Sequence, residues 1–193
     1  MSRLLLASTA LLLAACARKD SAARSDTGAV TDSARAVATT SSPAGTPSSP
    51  AATAEVKDSA GHSLGTLNLS ASLGGIVAEG HLMGLAPGTH GIHLHSVGQC
   101  QPPFASAGPH WNPTQKQHGT ENPKGPHLGD MPNVAVGSDS SGHARVTSAG
   151  GTLDSLLDAD GASVVVHATA DDYKTDPSGN SGARIACGVV TRK

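Results

Sequence analysis

Ten histidines are spread through the 193 residues, and six of them are placed where their imidazoles can serve one chemistry. His93 and His95 lie two apart in Thr89-His90-Gly91-Ile92-His93-Leu94-His95. Residues two apart in a strand point to the same face, so both rings can converge on one ion, whereas His90 has the opposite parity to His93 and faces away. His110, His118 and His127 follow in a stretch rich in Asn, Pro and Gly, with Asp130 three residues beyond the last of them. His167 closes the run Val164-Val165-Val166-His167. Imidazole suits copper and zinc, and three histidines with one carboxylate can fill a tetrahedral zinc site. Six histidines exceed what one four-coordinate ion can use. Two metals, or one metal and spare residues, are the alternatives this pattern leaves.

The remaining histidines, His62, His81, His90 and His143, have no motif partner and read as exposed or structural. Asp158-Ala159-Asp160-Gly161 has the start of a calcium loop but lacks the other spaced acids and the terminal glutamate, so it reads as a turn.

The elements that must position these side chains are short strands. Leu64 to Leu69, Ile76 to Met83, Asn133 to Val136, Ala144 to Thr147 and Ser163 to His167 are brief apolar or alternating runs. Gly and Pro clusters divide them, and no stretch sustains a helical apolar period, although Thr152 to Leu157 fits a helical turn. Such spacing predicts an all-β sandwich or barrel. Two long segments break the rhythm, Ser96 to Pro132 and Thr169 to Gly182. Loops of more than about 15 residues are uncommon in a compact domain unless they carry function. The first holds half of the candidate ligands, which predicts a loop organised by metal.

Ahead of this domain the chain has a different character. Arg3 precedes an apolar run from Leu4 to Ala15, too short to span a bilayer, where roughly 20 residues are needed, so residues 1–15 read as a signal peptide. The run ends in Leu13-Ala14-Ala15-Cys16, which resembles the lipobox of bacterial lipoproteins and implies lipidation of Cys16. Residues 17–54 are Ala, Ser, Thr, Pro and Gly with scattered charge, and predict a disordered tether. Residues 55–193 then form one domain, with eight basic against twelve acidic residues, which argues against nucleic acid as a partner. With one Trp, one Tyr and one Phe, the core must come from Val, Ile, Leu and Ala. If Cys16 carries lipid, Cys100 and Cys187 remain, and a bridge between them would close a loop worth roughly 4–5 kcal/mol on the chain-entropy account.

The segments GLAPGTHGIHLHSVGQC, AGPHWNP, KQHG, HLGD, VVVHATADDYKTDPSGNSG and ARIACGVV resemble, in order, the signatures of the copper/zinc superoxide dismutases. The likeness runs over about residues 55 to 193. It implies an eight-stranded Greek-key sandwich or barrel with long metal-binding and electrostatic loops. It implies copper on His93, His95, His110 and His167, and zinc on His110, His118, His127 and Asp130, with the His110 imidazolate bridging the two. Asp171 matches a carboxylate that hydrogen-bonds a ligand of each metal, Cys100 and Cys187 match a structural disulfide, and Arg184 matches the arginine beside the open copper position. Trp111 stands where many members have Phe, a change expected to be tolerated. Lys174 is the nearest candidate for a steering cation.

The function implied is dismutation of superoxide to dioxygen and hydrogen peroxide by redox cycling of copper, with zinc in a structural role and no organic cofactor. A copper/zinc-binding or delivery module on the same fold is the alternative. The expected location is the cell envelope, exported and lipid-anchored on the periplasmic or outer-membrane face, with a homodimer left open.

Overall fold

The computed structural model describes residues 49–193. The expected signal peptide, the lipidated Cys16 and the linker as far as residue 48 lie outside the described residues. Nine strands follow: β1 (Ala52–Asp58), β2 (Ser63–Ser72), β3 (Gly75–Met83), β4 (Gly88–His90), β5 (Ile92–His95), β6 (Val134–Val136), β7 (Ser141–Thr147), β8 (Ser163–His167) and β9 (Arg184–Arg192). Seven of them form a curled antiparallel sheet in the order β5-β8-β9-β1-β2-β3-β7, and β4 and β6 form a separate pair. The expected all-β architecture is therefore present. The count is nine because the segment carrying His90, His93 and His95 divides at Gly91, with β4 pairing to β6 and β5 to β8.

β1 starts at Ala52, three residues ahead of the expected domain boundary at 55. Ala52 and Ala54 are fully buried and pair with Leu69 and Leu67 of β2. Alanine gives too weak an apolar signal to separate this strand from the Ala-rich linker before it.

The alternation that makes a half-buried strand is clean in β7. There Gly142, Ala144 and Val146 point inward while His143, Arg145 and Thr147 stay exposed. The core is aliphatic, with Leu67, Leu69, Ile76, Leu82, Ile92, Leu94 and Val164 all fully buried. Each such side chain contributes roughly 1.5–3 kcal/mol relative to exposure. A short helix α1 (Leu153–Leu156) sits where the helical turn is expected. Its cap is reciprocal: Ser155 N–H donates to Thr152 Oγ1, and Thr152 N–H donates to Ser155 Oγ. The sequence Asp158 to Gly161 is a turn, closed by a hydrogen bond from Gly161 N–H to the Asp158 carbonyl. Among the described residues no helix is long and apolar enough to cross a membrane.

Candidate metal centre

All four residues of β5 are buried, although it lies at one edge of the seven-stranded sheet. Ile92 and Leu94 join the aliphatic core, so parity turns His93 and His95 to the opposite face. The long loop after β5 folds back along its free edge. Leu94 N–H donates to the Gly129 carbonyl at 3.0 Å, and Trp111 N–H donates to the Leu94 carbonyl at 2.8 Å. Bridges of the same kind set His93 opposite Asp130 and His95 opposite His110. The edge that would otherwise template another strand thus delivers two loop side chains to the strand histidines. Trp111, on that loop, buries its ring against Gly151, where a Cβ would lie 2.1 Å from the indole Cη2.

One cluster contains His93, His95, His110 and His167. Each of the four has a buried ring nitrogen without a hydrogen-bond partner: Nδ1 of His93 and Nε2 of His95, His110 and His167. The other nitrogen is committed in each of the three strand residues. His93 Nε2–H donates to Asp171 Oδ2 at 2.8 Å, His95 Nδ1–H to the Gly108 carbonyl at 2.9 Å, and His167 Nδ1–H to the Gly182 carbonyl at 3.3 Å. An imidazole that donates from one nitrogen presents a lone pair at the other. Burial pushes His93 down to about 3, partly offset by Asp171, and His167 down to about 4, partly offset by the Gly182 carbonyl. His95 and His110 are lowered for the same reason. The four lone pairs are therefore free near neutral pH. Buried polar atoms without partners are costly, and four converging lone pairs suit a cation.

The second cluster is His110, His118, His127 and Asp130. The Nδ1 atoms of the three histidines lie 2.9, 3.0 and 3.2 Å from the single oxygen Asp130 Oδ1. Asp130 Oδ2 is occupied by backbone N–H groups of Gly119 and His127, which fixes the direction of Oδ1. Desolvation opposes the charged carboxylate, but these hydrogen bonds outweigh it and hold Asp130 far below the usual carboxylate range. His110 belongs to both clusters, through Nδ1 to this one and through Nε2 to the first.

Asp171 ties the clusters together from behind. Its Oδ2 accepts from His93 and its Oδ1 from His118 Nε2 at 3.0 Å. Burial alone would keep the His118 ring neutral, but Asp130 and Asp171 on its two sides push it up to about 9. Asn133 clamps the Asp171 backbone at both ends, accepting from its N–H at 2.8 Å and donating to its carbonyl at 2.9 Å. Gly179, at φ +65°, passes so close that a Cβ there would lie 1.8 Å from Asp171 Oδ1. Only glycine fits both the conformation and the space.

A cavity of about 710 Å³ opens onto this centre and is lined by His110, His127, His167, Lys116, Asp176 and Arg184, among others. Arg184 is held by two loop carbonyls, with Nη1 donating to Phe104 at 2.7 Å and Nη2 to Gly108 at 2.8 Å. The same loop is stapled to β9 by a disulfide between Cys100 and Cys187, Cα atoms 5.6 Å apart. Phe104, Ala107, Val165 and Cys187 form a small buried cluster around it.

The family model described as copper/zinc superoxide dismutase (SODC) matches residues 63–190. The chain belongs to the copper/zinc superoxide dismutase family. It is 41% identical over 146 residues to Cu-Zn superoxide dismutase 2 of Aquifex aeolicus, covering 71% of this chain and 84% of that one. It is 42% identical to the Cu-Zn superoxide dismutase of Caulobacter vibrioides, covering 72% and 84%. Among solved structures, a SOD-like protein from Bacillus subtilis is 36% identical with a TM-score of 0.68, covering 71% of this chain and 96% of that one.

The two metals of the copper/zinc superoxide dismutase family fit the donors found here. Four partnerless buried imidazole nitrogens suit copper, and three imidazole nitrogens with one carboxylate oxygen suit zinc.

The structure brings together every residue that the sequence nominated for the metal centre: His93, His95, His110, His118, His127, Asp130, His167 and Asp171, with Arg184 at the cavity and the Cys100–Cys187 bridge formed. Lys174 stands apart, exposed and paired with Glu121 at 2.8 Å. Lys116 is the lysine that lines the cavity. Sequence reasoning missed Lys116, Asn133 and the carbonyl of Gly108. It also missed Asp176, whose Oδ1 accepts from the His118 backbone N–H. His90 lies outside both clusters. It is buried, with one ring nitrogen 2.8 Å from the His167 carbonyl and the other 2.8 Å from that of Ala86.

Proposed function

We propose that this protein dismutates superoxide, two anions and two protons giving one dioxygen and one hydrogen peroxide. The observation that carries the reading is the shared imidazole of His110, set between a four-nitrogen cluster and a three-nitrogen, one-carboxylate cluster at the floor of an open cavity. In this reading His93 Nδ1, His95 Nε2, His110 Nε2 and His167 Nε2 hold copper. Nδ1 of His110, His118 and His127, with Asp130 Oδ1, holds zinc. When bound, copper supplies one-electron exchange with superoxide in both directions, while zinc supplies no redox chemistry and orders the loop.

The chain's own residues do the rest. The Arg184 guanidinium, always charged, attracts the small anion and docks it in the cavity. His110 lines that cavity, and its Nε2, which has no protein partner, would hold a proton and pass it to the departing peroxide when it is not holding copper. Asp171 orients His93 and His118 by accepting from both, which fixes ring position and tautomer.

The test is metal content and dismutation on purified protein before and after copper loading. One copper and one zinc per chain with copper-dependent turnover is the expected result. Tight copper binding without dismutation overturns it in favour of a copper-handling module. The likeness to a protein described only as SOD-like supports that second reading.

The same reading has the protein exported and anchored through lipid on Cys16. It is supported by the leader and lipobox-like sequence and by a disulfide of the kind that persists in oxidising compartments. Fatty-acid labelling in cells, lost in Cys16→Ser, is the expected outcome, and unlabelled protein overturns it.

A further inference from the structure

A second group of donor side chains lies on the outer face of the sheet, away from the buried centre. His81 on β3 is directly opposite His143 on the edge strand β7. Their ring centroids are 4.6 Å apart with the planes inclined at 48°. Glu79, two residues before His81 and on the same face, brings Oε1 to 3.8 Å from His143 Nε2. Both rings are exposed, while Leu82 and Ala144, the residues that follow them on their strands, are buried.

From this we infer that His81 and His143, with Glu79 as a third donor, form a separate surface site for a divalent transition metal, copper(II) most strongly. Opposed residues in an antiparallel pair hold their Cβ atoms about 4.5–5.5 Å apart, so two imidazoles at such a position can turn onto one ion. The β3–β7 hydrogen bonds fix that spacing beforehand, and a preorganised pair loses little freedom on binding. On the β2 side Gly65 packs against the His81 carbonyl, and the His81 side chain is exposed. Imidazole nitrogen suits copper, nickel and zinc, and the Irving–Williams order places copper(II) first among them. Glu79 is the weaker donor, because Arg145 Nε lies 3.6 Å from its Oε2 and competes for it. Bulk water completes the coordination of so exposed an ion.

The experiment begins with the full-length protein already loaded with copper and zinc and titrates it with copper(II) alone. Bound metal is counted by equilibrium dialysis and examined by electron paramagnetic resonance. One further copper(II) per chain is expected, with a second signal showing nitrogen coupling. Loss of an outer partner of a metal site costs about 10–100-fold in affinity, so His81→Gln or His143→Gln, which remove a ligand, should each weaken the added ion at least about tenfold. Glu79→Gln should weaken it less, and His62→Ala, at an exposed histidine elsewhere, should leave it unchanged. Both glutamine variants keep polar side chains at solvent-exposed strand positions and should retain dismutation at the wild-type rate. Absence of a further equivalent, or an equivalent that survives the double glutamine variant, overturns the proposal.

Discussion

Arg184 and His95 donate to the same carbonyl: Arg184 Nη2 lies 2.8 Å and His95 Nδ1 lies 2.9 Å from the oxygen of Gly108. One peptide group therefore sets both the guanidinium proposed to dock the anion and one of the four imidazoles that present a partnerless nitrogen. The spacing between this guanidinium and the histidine cluster is fixed by the loop backbone and not left to two side chains independently.

Replacing Arg184 with Ile should lower kcat/KM by about tenfold or more, the low end of what a focused charge gives to association. Copper content should stay as it was, since Gly108 still orients His95. Arg184→Lys should recover only part of the loss, because an ammonium lacks the planar fork that spans the carbonyls of Phe104 and Gly108. Rapid-mixing kinetics on metal-replete variants checks this. Unchanged turnover in the Ile variant would remove the docking role.

The disulfide holds the loop that carries those two carbonyls. Joint replacement of Cys100 and Cys187 by Ser should cost about 2–5 kcal/mol of stability, as loss of a native bridge commonly does. Because Phe104 packs in the cluster around Cys187, the same variant should lose turnover below its unfolding temperature. Urea unfolding and activity at one temperature separate the two effects.

Asp171 couples the clusters, so Asp171→Asn should weaken both metals at once. An amide offers one acceptor oxygen where His93 and His118 each require one, and its NH2 would face an N–H donor. Affinity for each metal should fall about 10–100-fold in competition with a chelator. Loss confined to one metal would show that the carboxylate serves a single cluster.

Protonation of the buried histidines should give the metal-free protein a stability maximum near pH 6.5. His93 and His167 have folded values of about 3 and about 4 against an ordinary 6.5, burial being the main cause. Between those values the unfolded chain binds protons that the folded chain refuses, so stability is full above 6.5 and falls as the pH drops through 4 toward 3. His118 has the opposite sign. Burial works against its charge, but Asp130 and Asp171 raise it to about 9, so its contribution is full below 6.5 and is lost as pH rises through 9. Urea midpoints across this range, measured in chelator, test the shape. A midpoint that keeps rising toward pH 9 would contradict the charged His118.

Of the two lysines considered for steering, the cavity favours Lys116. Its neutralisation by Gln should reduce kcat/KM and flatten the dependence on ionic strength, since surface charges act over about 10 Å at 0.1 M salt. Lys174→Gln should change neither, because that ammonium is paired with Glu121. Salt titration of the rate on both variants decides between them.

What the sequence determined by itself was local chemistry and parity. The spacing of His93 and His95 set them on one face, and β8 occupies the residues that its apolar run marks, Ser163–His167. The ordered motifs named the whole ligand set through family likeness. Period and spacing alone left open whether one metal or two was held, because they do not say which nitrogen of a ring is free.

That was decided by tertiary structure, through contacts between residues far apart in the chain. Asp171 reaches His93 across 78 residues, and Arg184 reaches Gly108 across 76. Backbone carbonyls such as that of Gly108 carry no residue type, so no pattern of side chains could announce them. The start of β1 was equally hidden, since Ala52 and Ala54 become core only by facing β2. Lys116 and Lys174 are the same residue type on loops of similar character. Only the fold puts one at the cavity and closes the other into an ion pair.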